Sequence, residues 1–381
     1  MRTHIEEAEE FREYIARWVD ERLAPAAEEI DVVGEFPREF AKELGELGYI
    51  GTMYPESAGG SGLENPNLCF SILVEEVARG SLGFASWICM QGSTATHTIY
   101  EWGNDHLRKE YFEPALKGDK ICAFAITEPN AGSDAASLRT KATKVDGGWI
   151  INGSKVFTSN GTVSDFITIV ASTDLSLGAK GLELFVIDKN FDGFSVSRKL
   201  EKMSVRASDT AALSFDDMFV PDNHMLSSES GNGFRNAYRS LTVDRIYTAA
   251  LALGNARAAY DAARQYAQER EQFGQPIGKF QTIEFRLADM YSNIETAALH
   301  TYHAAQLADR GEDITTEAAM AKLIASEKGR QVCHDAVTIY GGWGLMNEYP
   351  VQRYLRDSYF PMMGGGTPEI MRRIIARKAA R

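Results

Sequence analysis

The feature that most limits what this chain can fold into is a double change in its hydrophobic period. In the first part, apolar residues recur every fourth position, as in Phe11, Ile15 and Val19, which is the spacing of one helix face. After Lys120 the apolar runs become short and β-branched, and Asp-Gly-Gly or Asn-Gly turns separate them, which is typical of strands. From Gly233 onwards the helical spacing returns in alanine-rich stretches, as in packed helical bundles.

The order of helices, strands and helices predicts an α+β fold in three parts. We expect an N-terminal helical domain at 1–117, a central antiparallel β-sandwich or barrel at 118–224 and a C-terminal helical bundle at 225–381. The 381 residues are enough to bury a large core. A crevice forms where such blocks meet, and ligands favour such places.

Composition narrows the function. The formal net charge of −13 disfavours binding to nucleic acid or to an anionic membrane, and no apolar run reaches the length of a membrane span. The charged start has no apolar signal core, so a cytoplasmic enzyme is expected. The four cysteines are scattered without the spacing of metal ligands, which predicts reduced core thiols and no metal site.

The stretch from Ile121 to Asp134 is an apolar strand that ends abruptly in a turn. Thr127, Ser133 and the backbone amides near Gly132 place short polar groups where small residues let a ligand approach the main chain. A planar cofactor with polar edges would fit there. An ordinary strand followed by an Asn/Gly turn is the alternative interpretation.

Five sequence blocks, in order, resemble the acyl-CoA dehydrogenase family, the flavoproteins that oxidise the α,β bond of a thioester. The resemblance extends from the first helix to Arg377, and the combination of blocks is highly specific although each alone is weak. The blocks are Tyr54-Pro55-Glu56 with Gly59-Gly60, Phe124 to Asp134, Lys155 to Gly161, Arg270 to Ile277, and Gly341 to Gly344 with Glu348 to Val351.

The resemblance implies FAD as the cofactor and assigns residues to it. Phe124, Ile126 and Thr127 lie along the flavin ring, with Ser133 on the nearby phosphate or pantetheine path. Phe157 and Ser159 cover the other flank. Further cofactor contacts are expected from Arg270, Phe273, Thr338, Gly342, Thr367 and Glu369.

The resemblance also implies a homotetramer. Arg270 and Phe273, three residues apart and so expected on one helix face, reach across a subunit boundary to a neighbour's FAD. Thr338 stands where the family usually has a glutamine that helps to hold the dinucleotide, so some of the FAD affinity comes from elsewhere.

The family's common catalytic glutamate is absent, because its position is Gly365. A glycine cannot take a proton, but the resemblance implies that its backbone amide still serves as an oxyanion donor. A subgroup that includes isovaleryl-CoA dehydrogenase moves the base to the place of Asp244, and we therefore hypothesise that Asp244 is the base. An aspartate near a helix start that makes a local polar contact is the alternative.

The substrate side is assigned more loosely. The glycines at 364–366 remove three side chains and make room for a branched, cyclic or otherwise bulky acyl group, although a flexible turn is the simpler interpretation. The expected substrate contacts are Met90, Gln91, Thr94, Ser133, Arg245, Tyr359 and Gly364.

The expected activity is FAD-dependent α,β-dehydrogenation of an acyl-CoA thioester, with hydride transfer to flavin N5 and electrons passed to an electron-transfer flavoprotein. An acyl-carrier-protein thioester is an alternative substrate, because Thr242 replaces an aspartate that many relatives have beside pantetheine. A non-oxidising, desulfinase-like lyase and a catalytically silent binding protein would fit the same fold, and an acidic residue at 244 argues against the lyase.

Overall fold

The computed structural model describes residues 5–226 and 231–380, so the charged start used for the localisation prediction lies mostly outside it. Helices, strands and helices follow one another along the chain, and the expected α+β fold is confirmed. The N-terminal helices are α1 (Glu6–Trp18), α2 (Ala24–Val33), α3 (Arg38–Glu46), α4 (Pro66–Cys89), α5 (Ala95–Trp102), α6 (Asp105–Leu107) and α7 (Glu113–Leu116).

Helix α4 forms the centre of the N-terminal part. Almost all of its side chains are buried, which agrees with its nearly continuous apolar sequence. Ser81 interrupts it with a non-helical backbone (φ −152°, ψ 107°). After α4 the chain forms a π turn, Met90–Thr94, before α5 begins.

Seven strands form one sheet in the middle of the chain. Long β3 and β7 pair in antiparallel fashion, with register shifts near Gly153 and Phe157, and β6 lies beyond β7. The strands are β1 (Cys122–Ala125), β2 (Lys141–Val145), β3 (Gly148–Ser159), β4 (Phe166–Ser172), β5 (Leu182–Asp188), β6 (Phe194–Lys199) and β7 (Thr210–Pro221).

The sheet is mixed, which differs from the wholly antiparallel arrangement that the turns indicate. Strand β4 pairs antiparallel with β5 but runs parallel to β1, and it meets the end of β2 in parallel at Lys141 and Ser172. The β2–β3 hairpin separates β1 from β4 in sequence. The chain crosses over in this segment, and β4 then runs in the same direction as β1. Hairpin turns in the sequence reveal only the pairing of strands that are consecutive along the chain.

The C-terminal part is a bundle of long helices. Helix α8 packs against α4, α9 and α10, and a two-stranded hairpin follows it directly. The elements are α8 (Gly233–Glu269), β8 (Glu271–Gln272), β9 (Gln275–Pro276), α9 (Gln281–Asp309), α10 (Thr315–Tyr340), α11 (Val351–Asp357), α12 (Phe360–Met363) and α13 (Pro368–Ala379).

Small residues allow α8 to approach both of its main neighbours closely. A Cβ atom at Gly254 would lie 2.0 Å from the backbone oxygen of Glu75 on α4, and one at Gly329 on α10 would lie 3.0 Å from the backbone oxygen of Ala252. A Cβ atom at Gly254 cannot lie so close to an oxygen atom, and one at Gly329 would be crowded, so the absence of side chains at these positions lets α8 fit closely between α4 and α10.

A buried ionic network joins the helices α1, α4, α8 and α9 around Glu75. Arg12 and Arg257 donate to its carboxylate over 3.2 Å and 2.6 Å, and the Tyr302 hydroxyl donates over 2.6 Å. Burial alone would raise the pKa of Glu75, but the two guanidinium groups outweigh it and lower the pKa to about 2. The carboxylate is therefore ionised at neutral pH and fixes the two helical blocks to each other.

The predicted core thiols are confirmed as buried, since all four cysteines are free and inaccessible. Across residues 5–226 and 231–380, no cluster of three or more His, Cys, Asp or Glu side chains could hold a metal ion. Within the same ranges, no helix combines the length and the apolar character that crossing a membrane requires.

Replacing Gly254 with alanine is expected to destabilise the fold by about 1–3 kcal/mol, because the new methyl group forces α8 away from α4. The readout is the midpoint of thermal unfolding. Asp261→Ala is the matched control, since its side chain is 59% exposed on the same helix. Equal midpoints for the two variants would contradict the close approach of these helices.

Candidate functional site

A single carboxylate lies where α8 meets the π turn Met90–Thr94. Asp244 is only 4% exposed, and its Oδ1 accepts a hydrogen bond of 2.9 Å from the Thr94 hydroxyl. Thr248 lies one turn further along α8, and its hydroxyl also lowers the pKa of the carboxylate. The position is in the body of a long helix and not near its start, where the alternative interpretation expects the aspartate.

Burial dominates the acidity of this group. It raises the pKa of Asp244 from its ordinary value to about 6, against the opposing effects of the Thr94 hydrogen bond and the positive charges of Arg245 and Lys322. A carboxylate with such a pKa is still ionised at neutral pH and is far more basic than an exposed one. It can therefore accept a proton from a weakly acidic group.

The glycine loop, Gly364 to Gly366, faces this carboxylate. Gly365 has a φ of +66°, and a Cβ atom there would lie 3.8 Å from Asp244 Oδ2 and 3.3 Å from the Thr248 hydroxyl. A side chain at 365 and the carboxylate at 244 would thus point into the same space. The hypothesis places the base at 244 and not at 365. The structure brings these two positions together, although they are 121 residues apart in sequence.

Two buried cations hold the glycine loop. Arg245 Nε donates to the carbonyl of Gly365 over 3.3 Å, while Lys322 Nζ donates to the carbonyls of Met362, over 3.2 Å, and Gly366. The sequence analysis missed Lys322 and Thr248. Both leave a signal: Thr248 is four residues after Asp244 on the same helix, and Lys322 interrupts an alanine-rich buried face.

One expected substrate contact is wrong. Gln91 is fully buried, and its amide nitrogen donates to the carbonyls of Ala115 and Lys120, while its amide oxygen accepts from the backbone of Cys122. It therefore joins the π turn to β1 and does not line a pocket. The extra residue in a π turn rotates the side chains that follow, and an ordinary helical period does not account for this.

The other expected substrate residues differ in their exposure. Thr94 is buried on Asp244, Met90 is half-buried in the same turn and Gly364 is half-buried. Tyr359 is 39% exposed, and the guanidinium of Arg330 lies 5.8 Å from its ring centre. Arg245 is buried beside the glycine loop.

The end of β1 and the bulged part of β3 form a shared surface. Phe124 is buried, Ile126 and Thr127 are half-buried, and the Val156 amide donates to the Thr127 carbonyl over 2.9 Å. Phe157 follows at the bulge with a φ of +57° and 69% exposure. A non-glycine residue with positive φ that exposes a large aromatic side chain is typical of a ligand site.

This surface fits a flavin in chemical terms. It offers apolar side chains for a ring and the hydroxyls of Thr127 and Ser159, both half-buried, for polar edges, and Ser133 is exposed on the turn that follows β1. A buried ion pair that the sequence analysis missed supports the turn: Lys155 Nζ contacts Glu128 Oε1 over 2.8 Å. Of the residues expected along a flavin, Ile126, Thr127, Phe157 and Ser159 are at least partly accessible, whereas Phe124 is buried beneath them.

Arg270 and Phe273 are not on a helix, so the expectation of a common helix face is wrong. Helix α8 ends at Glu269, and Phe273 and Gly274 form the two-residue turn of the β8–β9 hairpin. Both turn residues have positive φ, +52° and +76°, as a type I′ hairpin requires. The side chain of Phe273 projects from the tip with 92% exposure.

A groove of about 590 Å³ lies beside the base of this hairpin. Arg270, Tyr266 and Gly342 line it, and the rings of Tyr266 and Tyr340 stack at 4.0 Å. The structure thus brings Arg270 and Gly342 together.

Other expected cofactor residues lie elsewhere in this chain. Thr338 is exposed on α10, where its hydroxyl donates to the carbonyl of His334 over 3.0 Å. The Thr367 hydroxyl caps α13 by accepting from the Ile370 amide over 3.5 Å, and exposed Glu369 follows in the first turn. These two residues adjoin the glycine loop.

Comparisons with known proteins find one family in all three parts of the chain. Family models for the N-terminal, middle and C-terminal domains of acyl-CoA dehydrogenase match residues 5–119, 123–218 and 231–380. Benzylmalonyl-CoA dehydrogenase of Aromatoleum aromaticum is 44% identical over 375 residues, which are 98% of each chain.

Solved structures superpose on almost the whole of this chain. Butyryl-CoA dehydrogenase of Megasphaera elsdenii superposes with a TM-score of 0.95 at 37% identity, over 99% of this chain and 98% of that one. A glutaryl-CoA dehydrogenase of Mycobacterium smegmatis in complex with FADH2 gives 0.93 at 27% identity, over 99% of this chain and 95% of that one.

Replacing Asp244 with asparagine is expected to stabilise the protein more at pH 7.5 than at pH 4.5. The pKa of about 6 in the folded state lies above the ordinary value of about 3.9 for aspartate, so folding favours the protonated form. The wild type has this contribution below about pH 4 and loses it as the pH rises through 6. The variant avoids the loss, on the order of 1–3 kcal/mol, and thermal unfolding at both pH values measures the difference.

Asp261→Asn, at an exposed position of the same helix, is the control and should match the wild type at both pH values. If Asp244→Asn changes the unfolding midpoint equally at pH 4.5 and pH 7.5, the carboxylate is not held at a raised pKa.

Proposed function

This chain belongs to the acyl-CoA dehydrogenase family, whose members are FAD flavoproteins, and we propose that it oxidises the α,β bond of a bulky acyl-CoA thioester with Asp244 as the base. One observation carries the assignment of the base. A buried carboxylate with a pKa of about 6 lies 3.8 Å from the position that a side chain at Gly365 would occupy.

Asp244 takes the α proton in this proposal. Its ionised carboxylate accepts the proton at Oδ2, the oxygen beside Gly365, while Thr94 donates to the other oxygen and keeps the group in one orientation. Such a positioned base contributes about 10²- to 10⁴-fold to the rate. A pKa near 6 serves this step, because the group is ionised at neutral pH yet still basic.

The glycine loop stabilises the negative charge that develops on the thioester carbonyl. The amide of Gly365 is the proposed donor, and one donor of this type contributes about 10²- to 10³-fold. The bonds of Arg245 and Lys322 to the loop's carbonyls keep this amide in place, which is what preorganised stabilisation requires.

The surface formed by Phe124, Ile126, Thr127, Phe157 and Ser159 is the proposed flavin surface. FAD, when bound, supplies the acceptor for the β hydride. The β1 end and the β3 bulge orient the ring, and the buried pair of Glu128 and Lys155 supports the turn between them.

A second copy of the chain completes the proposed cofactor site. In this proposal a neighbour's dinucleotide packs against the exposed ring of Phe273 and occupies the groove beside Arg270 and Gly342. We propose a homotetramer on this basis, and an electron-transfer flavoprotein as the electron acceptor.

The acyl group is proposed to be bulky for two reasons. The glycine loop places no side chain opposite Asp244, and a relative that is 44% identical bears the name benzylmalonyl-CoA dehydrogenase. A short base, aspartate in place of glutamate, also requires the α carbon to lie close to α8.

Asp244→Asn is expected to lower the rate of substrate-dependent flavin bleaching by about 10²- to 10⁴-fold while FAD remains bound. Anaerobic stopped-flow absorbance measures the bleaching, and the flavin-to-protein absorbance ratio measures FAD content. Asp261→Asn is the control for a charge change on α8. Bleaching at the wild-type rate would exclude Asp244 as the base, and a spectral change without reduction in the wild type would favour a non-oxidising relative.

Gly364→Ala is expected to reduce kcat/KM for bulky acyl-CoA substrates about 10-fold relative to straight-chain ones, because one methyl group enters the acyl pocket. The substitution is free of strain, since Gly364 has a φ of −63° and a Cβ atom there would meet nothing closer than 3.6 Å. A panel of straight, branched, cyclic and aromatic acyl-CoAs gives the ratio, and matched carrier-protein thioesters show which carrier is used. An unchanged ratio would remove the glycine loop from the pocket.

A further inference from the structure

We infer that Lys322 is a positioning residue of the proposed reaction, because its ammonium group binds the carbonyls of Met362 and Gly366, which flank Gly365, and thereby holds Gly365 against Asp244. The inference rests on the proposed function, since it gives the loop a catalytic purpose. The hydrogen bonds of Lys322 go to the loop region and not to Asp244. Lys322 therefore affects the proposed proton transfer by holding the loop and by its positive charge.

The contacts of Lys322 enclose the loop. Its Nζ donates to the carbonyl of Met362, in the last turn of α12, and to the carbonyl of Gly366, where the loop ends. The side chain is fully buried on α10. One ammonium group therefore ties the residues before and after Gly365 to the same point of a long helix, with charge-assisted bonds that are stronger than neutral ones.

Three consecutive glycines need such a restraint. Glycine loses more conformational freedom than any other residue when it is ordered, so fixing three in a row is entropically unfavourable. Gly365 and Gly366 have φ values of +66° and +107°. Arg245 binds the carbonyl between the two that Lys322 holds, so two cations together fix the backbone where the proposed donor amide lies.

A purely structural role does not explain a lysine at this position. The same face of α10 carries buried Ala318, Ala321 and Ala325, and burying a charge among them is unfavourable before its bonds compensate. An apolar side chain would fill the same space without that cost. Compared with an apolar side chain, the ammonium group adds hydrogen bonds that hold the loop beside Asp244.

Lys322 also acts on Asp244 through its charge. The titratable or charged groups that face the carboxylate are Arg245 and Tyr247 on α8, Lys322 on α10 and Cys89 at the end of α4. Lys322 in turn faces Arg245, Glu369, Asp244 and Glu327, and burial lowers its own pKa to about 8. Its positive charge lowers the pKa of Asp244, so its removal raises that pKa.

The test compares three variants of the full-length flavoprotein. Lys322→Met keeps most of the side-chain volume but removes the charge and the donors, whereas Lys322→Arg keeps both. Lys328→Met is the matched control, because Lys328 lies on the same helix and donates over 2.8 Å to Asn293, away from the loop. The readouts are FAD content, kcat with a saturating acyl-CoA that the wild type oxidises, and the pH profile of kcat/KM.

Lys322→Met is expected to retain FAD and to lose about 10²-fold in kcat, because the loop no longer holds the donor amide within about 1 Å of its place. The acid limb of its kcat/KM profile should move to higher pH, as the raised pKa of Asp244 requires. Lys322→Arg should recover most of the rate and the position of the limb, and Lys328→Met should match the wild type.

A wild-type kcat and an unmoved acid limb in Lys322→Met overturn the inference, as does an equal loss of rate in Lys328→Met. If Lys322→Met does not fold, Lys322→Gln replaces it, since an amide keeps a donor without the charge; an unmoved limb in that variant overturns the inference too. Asp244→Asn separates the two proposals: if it stays active, the proposed base is wrong, whereas its inactivity beside a normal Lys322→Met removes only the role of Lys322.

Discussion

Burial of the Asp244 carboxylate is the constraint on which the rest of the site depends. Removal from water opposes its charge, and the pKa of about 6 reflects that opposition. The neighbouring groups limit the effect without cancelling it: Thr94 donates one hydrogen bond, and the charges of Arg245 and Lys322 favour ionisation. Stronger compensation would return the group to an ordinary, weakly basic carboxylate.

The same cations bind the glycine loop. Arg245 and Lys322 donate to carbonyls in and beside the loop, and their charges also lower the pKa of Asp244. Close packing of α8 between α4 and α10, through Gly254 and Gly329, brings these groups from separate helices to one point. The network around Glu75 fixes α8, which carries Asp244 and Arg245, to α1, α4 and α9.

Much of this could be predicted from the sequence where local pattern and chemistry agree. The change of period indicates the three-part fold, and the missing glutamate at Gly365 directs attention to Asp244. Residues whose role depends on local geometry were harder to predict. Gln91 faces β1 because a π turn rotates it, and Phe273 lies in a hairpin turn that helical spacing does not reveal. Lys322 was missed because its partners are backbone carbonyls 40 and 44 residues away.

The sequence by itself determined the order of the parts, the family and the presence of one acidic residue where the base is proposed. Those features depend on residue identity and spacing along the chain. Only the tertiary structure decided that Asp244 and Gly365 face one another, that the carboxylate is buried, and that two cations hold the loop between them. Distance and desolvation arise from how helices far apart in sequence pack, and no pattern along the chain records them.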